Sequence, residues 1–259
     1  MALLTDAEIV TLEDLQPYET NIVGMLTTYG IDADNKVGLA TEAISEELLL
    51  HLLKSGLSDP QHATRRLLGV SSVVCTGPLQ RWLCLETLVQ IYNEAYNVQL
   101  NDRFKGKWLQ YLQQTSATRQ LVWQYGVGVV FKPLPKPQAP LLGLQTGLLV
   151  NCELLIQVAW TDLDGNEGAL SPVAAILIPD QSSVAVSTAE GVSGAPPSAV
   201  GWNVYVAQVG ADPTRQNNAP IPIGSVWVAP DVGLLQGPAP RDGQEPDYYV
   251  FDQRRLPRG

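Results

Sequence analysis

A chain of 259 residues carries 26 acidic and 16 basic side chains, and the net charge of −10 excludes a broad grip on nucleic acid, since few cations are present to release phosphate counterions. Hydrophobic residues at 45% are ample for packed cores, whereas charged residues at 16% leave a sparsely charged surface, as when a partner covers part of it. Cys75, Cys84 and Cys152 are odd in number and sit among apolar neighbours, so buried free thiols in a reducing cytoplasm are expected rather than a disulfide framework.

The start, Met1-Ala-Leu-Leu-Thr-Asp6-Ala-Glu8, lacks a basic region, so no secretory leader is expected, and no apolar run approaches the ~18 residues of a membrane span. Thr11-Leu-Glu-Asp14 has the form of a capping box. It opens a predicted helix with its stripe at Leu15, Tyr18, Ile22, Leu26 and Tyr29, Pro17 near its first turn and Gly30 as its stop. Asp32-Ala-Asp-Asn35 starts a second, with Val37, Ala40, Ile44, Leu48 and Leu52 in register and Ser55-Gly56 closing it. Ser58-Asp59-Pro60 restarts the chain, leaving room for a short helix through Leu68.

Gly77-Pro78 opens a third helix whose wide apolar face, from Leu79 to Tyr96, marks it as central. Asn101-Asp102 begins a fourth, with Phe104, Trp108, Tyr111, Leu112 and Thr115 in register towards Trp123 and Gly126-Val-Gly128 at its end. The aromatic spacing of three and four favours core packing over a cofactor box. Beside it lie Arg103, Lys105 and Lys107, either a solvated helix face or a contact for a partner's carboxylates or DNA phosphates.

From Phe131 to Pro140 there are four prolines, at 133, 135, 137 and 140, which fit neither helix nor strand and suggest an extended connector. Beyond it the apolar period changes to two. Cys152–Trp160 and Leu170–Ile178 flank Asp164-Gly165 as a hairpin, with further strands expected at Ser183–Thr188, Trp202–Ala207 and Ile221–Val228. Short strands at this spacing predict a small β-sandwich of immunoglobulin or fibronectin type, and the fibronectin version suits the scarcity of cysteine. Residues 231–259 lack either period and end in Tyr248-Tyr249-Val250-Phe251 and Arg254-Arg255-Leu256-Pro257-Arg258. A frayed tail and an arm that orders against a partner both fit; the run of aromatic and branched residues favours the arm.

Enzyme chemistry finds no foothold. His51 and His62 show no metal-ligand spacing, and His51 flanks an apolar helix. Asp162-x-Asp164-x-Asn166 resembles the start of a calcium loop but lacks the glutamate at the twelfth position, and a hairpin turn explains it. No phosphate-binding loop or nucleophile elbow is present. No catalytic residue, cofactor or metal is expected.

Three stretches carry a resemblance: Leu12-Glu-Asp-Leu-Gln-Pro-Tyr-Glu19 with Gly30-Ile-Asp-Ala-Asp34; Leu79-Gln-Arg-Trp82 with Tyr92-Asn-Glu-Ala-Tyr96, Leu100-Asn-Asp-Arg103 and Gly106-Lys-Trp108; and Trp160 to Pro172 with Gly201-Trp-Asn-Val-Tyr-Val206 and Ala219-Pro-Ile-Pro-Ile223. In order along the chain they resemble head–tail adaptor (neck or connector) proteins of tailed bacteriophages, with an appended immunoglobulin-like domain. The resemblance implies a structural virion protein of the neck, assembled in the host cytoplasm. It would form a homo-oligomeric, dodecameric ring beneath the portal protein, receive tail or other neck proteins, and let double-stranded DNA pass without specific binding. It implies no catalysis and no membrane.

The expected organisation is α+β multidomain: a helical adaptor bundle over 1–132, a proline-rich linker over 133–147, an immunoglobulin- or fibronectin-like sandwich over 148–230 and an extended C-terminal arm over 231–259. Tyr248, Tyr249, Phe251, Arg254, Arg255 and Arg258 are the residues expected to meet the portal or a neighbouring subunit. Arg103, Lys105 and Lys107 are those expected at the channel or a partner. The competing expectation is a capsid decoration, tail-fibre or baseplate protein whose β domain contacts capsid or host surface, with Trp202, Tyr205 and Trp227 as platform aromatics against the alternative of core packing.

Overall fold

The computed structural model describes residues 1–6, 9–58, 69–99 and 102–251. Helices occupy the N-terminal part and antiparallel sheets the C-terminal part, an α+β arrangement. The chain forms two compact units. One contains Ala7–Phe131 and the segment that begins at Pro246; the other contains Met1–Asp6 and Lys132–Glu245.

In the helical unit, Asp14 accepts hydrogen bonds from the Thr11 N–H at 2.8 Å and hydroxyl at 2.9 Å, and this cap starts α1 (Leu12–Leu15). The single helix expected up to Gly30 is broken. Pro17 supplies no N–H, and the Tyr18 and Glu19 N–H groups both turn back to the Leu15 carbonyl. The chain restarts as α2 (Ile22–Tyr29), which Gly30 ends in the left-handed region at φ 64°.

Asp32 accepts from the N–H groups of Asp34 and Asn35 at the head of α3 (Ala33–Ser58), which buries Ala40, Ile44, Leu48 and Leu52 on one stripe and runs through Ser55-Gly56. The short helix expected after Pro60 lies outside the described residues. α4 (Gly77–Gln99) buries Leu79, Trp82, Leu83, Leu85, Leu88, Val89 and Tyr92 and packs against both α3 and α5 (Asp102–Tyr125). Lys36 of α3 pairs with Glu94 of α4. Within α5 the core is Phe104, Tyr111, Thr115, Thr118 and Val122, whereas Leu112, expected inside, is exposed.

Two short strands complete this unit, β1 (Val127–Val129) and β10 (Tyr248–Val250), paired antiparallel. Gly128 makes their closeness possible, because a Cβ there would lie 2.6 Å from the Pro246 ring.

The β unit holds two antiparallel sheets. One has the order β2 (Leu141–Leu149), β5 (Ser182–Ser187), β9 (Trp227–Val228). The other runs β4 (Ala174–Ile178), β3 (Cys152–Thr161), β6 (Gly201–Gln208), β7 (Thr214–Arg215), with β8 (Ile221–Pro222) also on β6. Leu154, Ile156, Val158 and Trp160 of β3 alternate inward and share one core with Val184 and Val186 of β5 and with Trp202, Val204 and Val206 of β6. The expected β3–β4 hairpin is present, with Ile156 opposite Ala174. The strand expected over Ile221–Val228 is split in two at Gly224, whose φ is +82°.

Two expected segments differ. The linker of 133–147 is part of the β unit. Its second half begins β2, which pairs with β5, and its first half is laced down between the prolines. The N–H groups of Leu134, Lys136 and Gln138 donate to side chains of Gln244 (2.7 Å), Asp6 (2.8 Å) and Glu190 (2.6 Å). Prolines at 133, 135 and 137 leave single donors between them, on Leu134 and Lys136, and both meet an acceptor, as does Gln138 after Pro137.

The arm of 231–259 is likewise not one extension. Residues up to Glu245 belong to the β unit, where Gln244 also donates to the Lys132 carbonyl at 2.9 Å, and Tyr248–Val250 is a strand of the helical unit. Three residues are too few for a period of two to show in a sequence.

Candidate functional site

The basic cluster on α5 does not act as one patch. Arg103 and Lys105 are exposed. Lys107 turns towards Glu19, donating to its carboxylate at 2.8 Å, and the Tyr111 hydroxyl donates to the same oxygen at 3.0 Å. Burial disfavours the charge on Glu19, but hydrogen bonds from Lys107, Tyr92 and Tyr111 outweigh it and hold the carboxyl below its ordinary value. The same arrangement, with burial as the larger cause, pushes the Tyr92 and Tyr111 phenols up. All the groups are mutually satisfied, so this is a clamp between α5 and the segment ahead of α2. Its spacing of 88 residues left no sequence signal.

Of the C-terminal residues, Tyr248 lays its ring against Phe131 at 4.8 Å between centroids. Tyr249 and Phe251 remain about half exposed, and Val250 between them is buried. The alternation along β10 thus presents Tyr249 and Phe251 outward beside Gly126. Arg254, Arg255 and Arg258 lie outside the described residues.

The β unit has a polar centre and a polar cavity. Glu167, almost wholly buried, accepts from the Tyr205 hydroxyl at 2.6 Å and the Asn203 amide at 3.0 Å. Burial and this carboxylate push the Tyr205 phenol up, so it does not ionise near neutral pH. Glu167 also borders a cavity of about 460 Å³ lined by Met1, Arg241, Asp242 and Gln244. The arrangement ties the segment after β3 to β6.

Trp202 and Tyr205 are buried in the core, which removes them as platform aromatics; Trp227 is half-buried. At the β3 turn the Asp162 carboxylate accepts from the N–H groups of Asp164 and Asn166 and from the Asn166 amide, a turn-forming use of the acids.

Two outward faces of the helical unit were not anticipated. On α3, Leu39, Glu42, Glu46, Leu50 and Leu53 recur at intervals of three and four and are all exposed, opposite the buried stripe. On α5, Lys105, Leu109, Leu112, Ser116 and Arg119 do the same. A groove of about 690 Å³ follows this second row, floored by Trp82 and bordered by Glu47 and Glu86. Arg119 holds Glu47 at 2.5 Å, and burial pushes the Glu86 carboxyl up. The leucines at 39, 50 and 53 on α3 and at 109 on α5 lie out of phase with the buried stripes, the signal by which the sequence carried these faces.

Among the described residues no group of three or more His, Cys, Asp or Glu side chains could hold a metal ion, and no helix is long and apolar enough to cross a membrane. Comparison with protein-family models, curated proteins and solved structures finds no match to this chain.

Proposed function

We propose that this chain is a structural virion protein, a head–tail adaptor of a tailed bacteriophage that forms a ring beneath the portal and joins capsid to tail. The observation that carries the reading is the set of exposed leucines on α3 (Leu39, Leu50 and Leu53) and α5 (Leu109 and Leu112). A helix that buries one stripe inside its own unit and exposes a second is suited to standing between neighbours. The adaptor-like motifs between Leu12 and Trp108 fall on α1, the head of α3, α4 and the first turns of α5.

The β unit is read as the appended immunoglobulin- or fibronectin-like sandwich. Two antiparallel sheets of short strands sharing a core with Trp160 and Trp202 support that reading. Tyr249 and Phe251 on β10, followed by the three arginines, would dock on the portal or a neighbouring subunit, and the net charge of −10 would keep DNA from adhering to the channel.

Copy number in purified particles tests the proposal. A neck ring contributes about twelve copies, whereas a decoration protein, the competing reading, contributes hundreds. Quantitative mass spectrometry giving hundreds of copies, or none, refutes the adaptor.

A further inference from the structure

We propose that the cavity beside Glu167 in the β unit binds a small organic cation with separated ammonium groups, of the class of linear diamines and polyamines. The inference concerns the β unit alone and is independent of the adaptor reading. Glu167 is 5% exposed, and its Oε1 accepts from the Tyr205 hydroxyl at 2.6 Å and the Asn203 amide at 3.0 Å. Its Oε2 has no hydrogen-bond partner among the described residues, yet it is not sealed in the interior. It therefore opens onto the cavity that Glu167 borders, where a carboxylate oxygen with little water around it is suited to a charge-assisted hydrogen bond from a ligand.

The rest of the wall asks for the same kind of ligand. Asp242 and Glu245 line the cavity too, both with exposed side chains. Asn166 spends its amide on Asp162, which leaves its side-chain oxygen as a further acceptor. Gln244 has no capacity to spare, because its Oε1 takes the Leu134 N–H and its Nε2 donates to the Lys132 carbonyl. Arg241, the basic side chain among the lining residues, is exposed and lies 3.5 Å from the Gly165 carbonyl. Three carboxylates outnumber it. An ammonium group, with three donors and no acceptor, matches a wall of acceptors. The charge is not met by a metal ion, since among the described residues no three such side chains converge on one point. Carboxylates held apart suit cationic groups held apart, and about 460 Å³ is an ordinary size for a small-molecule site. The wall is also closely built: Gly243, at φ 95°, lets its segment press on Met1, where a Cβ would lie 2.5 Å from the carbonyl oxygen.

The test is isothermal titration calorimetry of the full chain with putrescine, cadaverine, spermidine and the monoamine butylamine, with circular dichroism to establish that each variant is folded. E167Q removes the buried charge and keeps an oxygen for Tyr205 and Asn203. D242N/E245Q changes only exposed side chains and keeps the proposal testable if E167Q does not fold. Each should weaken the tightest-binding diamine or polyamine at least about tenfold, and butylamine should bind at least about tenfold more weakly than putrescine. E153Q/D212N removes two exposed charges of the β unit away from the cavity and should leave binding unchanged.

Failure of the wild type to bind any of the diamines or spermidine overturns the proposal. So does binding that E153Q/D212N weakens as much as D242N/E245Q, because diffuse attraction to a chain of net charge −10 then accounts for it. Butylamine binding as tightly as putrescine removes the requirement for separated cations and overturns it as well. Magnesium that displaces spermidine from the wild type at equal concentration would assign the cavity to a metal. A lysine-rich peptide that binds where the diamines do not would assign it to a partner chain. Either result contradicts the inference.

Discussion

Glu19 shows how a residue with no local pattern becomes a point of attachment. Its carboxylate gathers Lys107 and Tyr111 from α5, and its ionised form is favoured in the folded state. That contribution is complete above the ordinary glutamate value of 4.5 and is lost as pH falls through the lower folded value. E19Q should lower stability at pH 7 by about 1–2 kcal/mol, discounted for the exposure of Lys107. It should also flatten the acid side of the stability–pH curve; denaturant melts at pH 3, 4, 5 and 7 measure both.

The thiols give a second expectation. Burial pushes Cys84 up to about 12, and Cys75 is also buried, whereas Cys152 is partly exposed. Iodoacetamide at pH 8 should label Cys152 first in the native protein and reach Cys75 and Cys84 only on unfolding, which peptide mass mapping reads directly. That the cysteines stay free was legible from their number and neighbours. The Glu19 clamp was not, since nothing in a linear pattern announces a partner so far along the chain.

At the scale of elements, long periodic segments were readable and short ones were not. The stripe of Ala40, Ile44, Leu48 and Leu52, the Gly77-Pro78 start and the β3–β4 hairpin follow from periods of 3.6 and 2 and from turn chemistry. β1, β7 and β10 have two or three residues each, too few for a period, and depend on partners elsewhere in the chain. The prolines of 133–140 misled for another reason. They do forbid regular structure, but the Leu134, Lys136 and Gln138 donors are met by side chains, which ties an irregular segment to the β unit.

The β1–β10 pairing makes truncation informative. Ending the chain after Glu245 removes β10 and exposes Val127 and Val129, so the helical unit should lose roughly 2–4 kcal/mol and aggregate. Under the adaptor reading, ending it after Phe251 removes Arg254, Arg255 and Arg258 and should weaken capture by portal at least about tenfold. Gly128→Val, which would drive a side chain into Pro246, should resemble the first truncation. A melting temperature unaltered by loss of 246–259 would show that β10 contributes nothing to this unit.

For the whole molecule, the change of period near residue 131 correctly separated helices from sheets, but each end of the chain crosses that boundary. Met1–Asp6 serves the β unit, and the segment from Pro246 serves the helical one. Composition carries no record of such exchanges, because Asp6 and Gln244 look like any polar residues until their acceptors are seen to hold Lys136 and Leu134. The assembly faces were hidden differently. The exposed leucines were present in the sequence, yet only the dominant stripe of each helix stood out, and Leu112 falls in it by spacing alone.

The adaptor reading meets its most direct test in cryo-electron microscopy of intact particles that carry this chain, with the polypeptide traced in the density. A ring at the head–tail junction is the expected result. Density for the chain spread over the capsid lattice, or confined to tail fibres, would contradict it.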